Sequence, residues 1–111
     1  MGSYVYGQEF SFKTKKIEIN ENLNFINAYQ GEAISKDGDL RIIGEKFLYD
    51  KKKNILEIND KGSILIKSRN LQILFDKSIV NQMNQTIDSI GNIKIIDKNN
   101  NLEITSSALF Y

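Results

Sequence analysis

The sequence predicts an all-β chain, and three observations support that prediction. Apolar and polar residues alternate, as at Leu56, Ile58, Ile64 and Ile66, and a period of two is the pattern of a strand. The 18 isoleucines, six phenylalanines and five tyrosines suit extended backbone. Polar, turn-forming clusters separate the alternating segments at residues 36–39, 50–54 and 97–101.

Taken in order, these segments predict seven strands, near residues 9–19, 23–35, 40–49, 54–67, 70–80, 84–96 and 101–110. We expect residues 1–7 to be a vector-derived or flexible N-terminal segment. Residues 8–111 then form one β domain, excised from a longer chain that carries the targeting sequence.

An internal repeat of about 30 residues runs through this domain. Phe10, Leu40, Leu71 and Leu102 stand in register at steps of 30, 31 and 31 residues, and apolar residues recur two, seven and nine positions further on, with Ser78 as the exception. Between the first and second apolar pairs the parity shifts by one. That shift predicts a bend or bulge in each strand, near Thr14, Gly44, Phe75 and Ser106.

Three glycines mark a second recurring position, at Gly31, Gly62 and Gly91. Residues 59–62 on their own resemble a hairpin turn. The surroundings of Gly31 and Gly91 make poor turns, however, and a glycine within a strand usually marks a sharp bend or a close approach of backbones. We therefore favour strands that fold over themselves and stack into a continuous apolar interior.

One parity of the alternating pattern defines the predicted interior. Its residues are Phe12, Phe25, Tyr29, Ile42, Phe47, Tyr49, Ile58, Ile64, Ile66, Ile73, Ile87, Ile93, Ile95 and Ile104. The opposite parity is expected to face outward, at Ile43, Ile55, Leu65, Leu74 and Ile96.

The composition argues against most catalytic and nucleic-acid-binding functions. The chain has no histidine or cysteine, so no Ser-His-Asp or Cys-His site, ordinary zinc site or disulfide can form. We expect no enzyme activity, no cofactor and no metal. Asp37 and Asp39 are too sparse for a calcium loop, and a carboxylate-pair glycosidase is disfavoured in 111 residues without tryptophan. A net charge of +1 lacks the strong positive charge expected of a nucleic-acid-binding protein. The longest apolar run has four residues and is too short to span a membrane.

The repeated pattern resembles a known family. The pattern recurs three times. Each copy contains a strand, an in-phase glycine followed by small or β-branched residues, and an apolar strand that ends in an aromatic residue. The copies lie at residues 28–50, 61–76 and 89–111. This pattern is similar to that of the OstA-like domains of the lipopolysaccharide transport system, which include LptA-like bridge proteins, LptC and the N-terminal domain of LptD. The similarity covers residues 8–111, although this chain lacks the cysteines that LptD domains often carry.

The resemblance implies a β-jellyroll, or V-shaped taco, of stacked antiparallel strands around an apolar trough. It implies a periplasmic location, associated with the outer membrane if the chain is part of LptD. It also implies non-catalytic binding and transport of lipopolysaccharide (lipid A), with the interior residues named above as the lipid-binding set. Other OstA-like domains are the implied partners, stacked head to tail through edge strands.

Two alternatives remain at this stage. An interior of isoleucine and phenylalanine is more often a packed core than a lipid trough. A sealed, polymer-forming structural β-solenoid of the bactofilin type uses similar short repeats and needs no ligand.

Overall fold

The computed structural model describes residues 3–6, 10–20 and 24–111. Apart from one 3₁₀ turn (Lys67–Arg69), the regular elements in these ranges are β-strands. They are β1 (Ser3–Tyr6), β2 (Phe10–Asn20), β3 (Phe25–Ser35), β4 (Leu40–Asp50), β5 (Ile55–Ile66), β6 (Leu71–Phe75), β7 (Lys77–Asn81), β8 (Thr86–Asp97) and β9 (Leu102–Phe110). The all-β prediction is confirmed for the described part of the chain.

Two details differ from the predicted strands. The strand predicted near residues 70–80 is divided at Asp76 into β6 and β7. Ser3–Tyr6, which the sequence analysis left outside the domain, forms β1 and pairs with β2. Residues 1, 2 and 7 of the predicted N-terminal segment lie outside the described residues.

All nine strands belong to one antiparallel sheet that follows the order of the chain. β1 to β5 pair in sequence, and β6 and β7 lie end to end between β5 and β8. β9 pairs with β8. The interrupted pair β6–β7 therefore takes the place of one long strand in a continuous meander.

A line of bends crosses this sheet, and we call it the crease. The residues at the bends of neighbouring strands lie opposite one another along it. Thr14 pairs with Gly31, Gly31 with Gly44, Gly44 with Gly62, and Gly62 with Phe75. The register shifts by one between Gly44 and Lys46 and again between Ile90 and Ile93. The bends predicted near Thr14, Gly44, Phe75 and Ser106 coincide with this line.

The glycines at the crease have a steric explanation. A Cβ on Gly31 would overlap the carbonyl oxygen of Lys13, and one on Gly62 would lie 2.6 Å from the carbonyl oxygen of Ile43. Only a residue without a side chain allows the backbones to approach this closely. Asp60 and Lys61 adopt left-handed backbone, but β5 continues through them. Residues 59–62 are therefore a bend and not a hairpin turn.

The crease divides the sheet into two halves that face each other. Half A contains residues 10–14, 31–35, 40–44, 62–66, 71–75, 93–97 and 102–106. Half B contains residues 16–20, 25–29, 46–50, 55–59, 77–81, 86–90 and 108–110. Ring centroids of Phe12 in half A lie 6.0 Å from Phe47 and 5.9 Å from Tyr49 in half B, and Phe10 lies 5.6 Å from Tyr49. These aromatic contacts join the halves into one core.

The connections between strands depend on left-handed residues and short polar contacts. Asn24, Asn54, Asn70 and Asn101 all have φ between 50° and 58°, a conformation that asparagine tolerates better than most residues. The turn after β3 is held by Asp37, whose carboxylate accepts hydrogen bonds from the Ser35 hydroxyl at 2.6 Å and the Asp39 amide at 2.9 Å. These bonds lower the pKa of Asp37, with the Ser35 hydroxyl as the larger cause.

Candidate functional site: the apolar interior and its openings

The interior is a single apolar cluster between the two halves. Ten residues of the predicted set are buried, and Ile95 is partly buried against them. The ten are Phe12, Ile42, Phe47, Tyr49, Ile58, Ile64, Ile66, Ile73, Ile87 and Ile93. On the opposite parity, Ile43 is exposed, and Ile55, Leu65, Leu74 and Ile96 are half-buried on the outer face.

Phe25 and Tyr29 do not belong to this interior. Their neighbours Ile26 and Ala28 are buried, and the alternation of β3 places Phe25 and Tyr29 on the outer face. Tyr29 lies there beneath the Lys16 ammonium, 5.6 Å from the ring centroid, and a hydrogen bond with Glu18 raises its pKa. The prediction was wrong by one residue because it continued one parity through the left-handed bend at Gln30. Leu23, which has the same parity as Phe25 and Tyr29, lies outside the described residues.

Ile104 faces the interior but is not covered by it. It pairs with Ile95, so both side chains point to the same side of the sheet. Among the described strands, however, β9 pairs with β8 alone, and Ile104 is 49% exposed. Its burial was predicted from strand parity, which does not show where the sheet ends.

Several core residues were not among those predicted from the alternation. Phe10, Ile26, Leu56, Phe75 and Val80 are buried. Phe10 and Val80 stand in the repeat register, so the repeat already contained the signal that could have identified them. Ile26 was missed through the same one-residue error as Phe25.

Polar groups in the interior are few and have partners. Ser78 and Ser89 lie opposite each other on β7 and β8, with their hydroxyl oxygens 2.7 Å apart, and Ser78 also donates to the Asp88 carbonyl. Among the described residues, no buried side-chain nitrogen or oxygen lacks a hydrogen-bond partner. The described interior therefore presents mainly hydrocarbon, and its few polar groups already have hydrogen-bond partners.

One opening of the interior lies where the ends of the two halves meet, and we call it the mouth. A groove of about 390 Å³ runs here between Leu40 and Ile66 of half A and Ile87 of half B. Tyr111 exchanges two backbone hydrogen bonds with Ile87, and the Arg69 guanidinium lies 5.6 Å from the Tyr111 ring centroid. Asp37, Asp39, Gln82 and Gln85 also line this groove. The mouth is thus a mixed polar and apolar groove, and the contact between Arg69 and Tyr111 lies in it.

A second opening is the side of the core at β9. Leu102 and Ile104 are 53% and 49% exposed, although Ile104 pairs with Ile95, which packs against the core. Leu109 is the part of β9 that packs against the core. The apolar interior therefore emerges at this side of the sheet, where no described residue covers it.

Another cavity is separate from both openings. It has a volume of about 910 Å³ and lies on the outer face beside the crease. Its walls include the exposed Lys15, Arg41 and Lys61, and Arg41 forms an ion pair of 2.9 Å with Glu32. Its exposed charged walls contrast with the buried apolar cluster between the halves.

Comparisons with known proteins give no family. A scan against protein-family models finds no match, and a search of curated proteins finds no significant relative. In the part of the chain that the structure describes, no helix has the length and hydropathy needed to cross a membrane.

Proposed function

We propose that this chain is a non-catalytic carrier module for lipid acyl chains, and specifically those of lipopolysaccharide. The observation that carries the proposal is the emergence of a continuous apolar interior at β9, where Leu102 and Ile104 are half-exposed. The lipid identity, the periplasmic location and the OstA-like jellyroll come from the resemblance of the repeated strand pattern. The interior itself supports only the chemistry, which is that of a hydrocarbon ligand.

The energetic reason for such a module is the aqueous gap that a lipid must cross. Exposing an acyl chain to water costs about 0.8 kcal/mol per CH₂. Among the described residues, the few buried polar groups already have partners, so the interior offers mainly apolar contact. A chain can therefore slide along it without breaking a directional bond, and this passage needs no acid, base or nucleophile.

Entry of an acyl chain would occur at the two openings. The core is packed, with Ile42, Ile58 and Ile64 at 0% exposure, so a chain must first contact Ile104 at the β9 side or separate the halves at the mouth. The Arg69–Tyr111 contact is the surface feature that would have to part. Continuation of the interior into a neighbouring OstA-like domain at β9 would then provide the onward path.

The full burial of the central residues favours a second candidate function. A sealed structural module that associates through its sheet edge would have such a packed interior and would bind no lipid. Exposure of Leu102 and Ile104 would then serve assembly alone. The two functions differ in whether a lipid acyl chain enters the interior and contacts the inner face of the sheet.

Site-specific photo-crosslinking tests the proposal with adjacent residues as matched controls. A benzophenone side chain at Ile104 would point inward at the open side, and one at Thr105 would point outward from the same strand. Because both positions are exposed, neither substitution disturbs the packed core. Illumination with lipopolysaccharide should label the Ile104 variant and leave the Thr105 variant unlabelled.

A second pair of positions tests passage through the interior. Ile64 is buried between Ile42 and Ile73, and Leu65 is its neighbour on the outer face. Adducts at Ile64 and not at Leu65, in variants whose circular dichroism matches the parent, support transport. Absence of adducts at both Ile104 and Ile64, with an LptA-like bridge protein labelling in parallel, would establish the sealed module as the better account.

A further inference from the structure

The outer edge of β9 is an unprotected strand edge. β9 pairs with β8 only, among the strands that the structure describes. Its single charged residue is Glu103, whose carboxylate is paired with the Lys94 ammonium at 3.0 Å. Residues 104–111 are uncharged, and Phe110 is 72% exposed. Natural sheets usually block such edges with charges, proline or short strands, and β9 has only the one paired charge of Glu103.

The opposite edge of the sheet is protected. β1 covers residues 11–14 of β2 with four residues of its own. Residues 15–20 of β2 pair only with β3 among the described strands, and they include the exposed Lys15, Lys16 and Glu18. A second copy that approached head to tail would meet β1, which lies on half A alone. At most half of β9 would then gain a partner.

The crease restricts how two β9 strands can pair. In β3 and β4, the inward-facing parity changes at the crease in both strands, and inward residues stay opposite inward residues. β9 behaves in the same way. Ile104 and Ser106 lie opposite the inward-facing Ile95 and Ile93, whereas Leu109 lies opposite the buried Ser89.

We propose that β9 is a self-association edge, at which a second copy of this chain pairs antiparallel and tail to tail. Keeping inward residues opposite inward residues places Ile104 against Leu109 of the second copy, and Leu102 against Tyr111 of the second copy. On the outer face, Thr105 then lies opposite Ala108 of the second copy. This register is symmetric about the crease, so both copies use the same surface and the pair closes.

On the inner face, this register pairs apolar with apolar on both sides of the crease, and Ser106 is the polar residue at the crease itself. The register covers Leu102 and Ile104, which are half-exposed in the single chain, and it joins the two interiors through one continuous sheet. Both halves of β9 gain a partner strand, which a head-to-tail contact with β1 does not provide. Lipid plays no part in this argument, so the proposal stands or fails independently of the carrier function.

Disulfide trapping tests the register directly, because the chain contains no cysteine and each variant introduces a single thiol. Mixing Ile104→Cys with Leu109→Cys under mild oxidation should give a covalent dimer, and so should mixing Thr105→Cys with Ala108→Cys. The matched control is Ile104→Cys mixed with Ala108→Cys, whose thiols would lie on opposite faces of the sheet. This control mixture should give less than a tenth of the covalent dimer that either of the two predicted mixtures gives.

Two results would overturn the proposal. One is equal trapping in the control mixture, which would mean random collision. The other is efficient trapping of Ile104→Cys with Val5→Cys in β1, which would mean that the copies meet head to tail.

Sedimentation of the cysteine-free chain supplies a second measurement. We expect the sedimentation coefficient to rise from the monomer value towards the dimer value across the high micromolar range, and Ile104→Lys to abolish that rise. Ile104 is half-exposed in the single chain, so the lysine tests association and leaves the core intact. A parent chain that stays monomeric throughout that range, or a variant that associates as the parent does, would contradict the proposal.

Discussion

Replacing Phe12 with alanine should destabilise the chain more than any other single aromatic truncation. Phe12 is 1% exposed and lies where the two halves meet, with its ring 6.0 Å from Phe47, 5.9 Å from Tyr49 and 6.4 Å from Phe10. It belongs to β2 before the crease, whereas Phe47 and Tyr49 belong to β4 after it. Its removal therefore leaves a cavity between the halves, which the backbone of one strand cannot fill.

The magnitude follows from burial and from the ring contacts. Truncating a buried phenylalanine to alanine costs about 3–5 kcal/mol, and loss of the edge-to-face geometry with Phe47 places Phe12 towards the upper part of that range. A domain of this size has a total stability of about 5–15 kcal/mol. Phe12→Ala should thus remove a large fraction of the free energy of unfolding while leaving the strand content of the folded state unchanged.

Urea denaturation followed by far-ultraviolet circular dichroism measures this effect. With a denaturant dependence of about 2 kcal/mol per M, the midpoint should fall by about 2 M. Phe110→Ala is the matched control, because Phe110 is 72% exposed and exposed truncations change stability by no more than about 0.5 kcal/mol. Equal midpoint shifts for the two variants would refute the conclusion that Phe12 joins the halves.

Three further substitutions test the crease, the buried hydroxyls and the turn after β3. Gly31→Ala should destabilise by about 1–3 kcal/mol or more through overlap with backbone. In thermal melts, the loss of stability caused by Gly31→Ala should exceed that caused by Gly38→Ala. A Cβ added at Gly38 meets no atom within 4 Å, although its φ is +78°. Ser78→Ala should lower the urea midpoint by the equivalent of about 1–3 kcal/mol, because the buried Ser89 hydroxyl loses a partner; an unchanged midpoint would contradict this. Asp37→Asn should be less stable than the parent at pH 7. The lowered pKa of Asp37 means that its carboxylate stabilises the fold above its ordinary pKa of 3.8, and that this contribution is lost as pH falls through the folded pKa. A stability difference that stayed constant down to pH 2 would contradict the assignment.

Much of the strand layout could be predicted from the sequence because the relevant physics is local. Alternation of apolar and polar residues follows from the pleat of a strand, and turns need residues that tolerate left-handed backbone. The boundaries of β4, predicted at 40–49 and observed at Leu40–Asp50, illustrate this. The bends were also predictable, since a one-residue change of parity at Gly44 already encodes the register shift seen there.

The predicted site was partly wrong where tertiary position decides exposure. Tyr29 and Phe25 were placed inside because the chosen parity ran through the bend of β3, and only the pairing with β2 and β4 shows which side of that strand is buried. The Ile104 side chain points to the predicted face of the sheet, but no described strand lies beyond β9 to cover it. Exposure there depends on β9 pairing with β8 alone among the described strands, which no local pattern records.

The sequence by itself therefore determined that this chain is all-β, where its strands bend and that histidine and cysteine are absent. The tertiary structure decided that half A closes on half B, through contacts such as that between Phe12 and Tyr49. It also decided that the interior is packed at its centre and uncovered at β9. The physical reason is that periodicity reports the local geometry of one strand, whereas packing depends on which distant strands meet across the core.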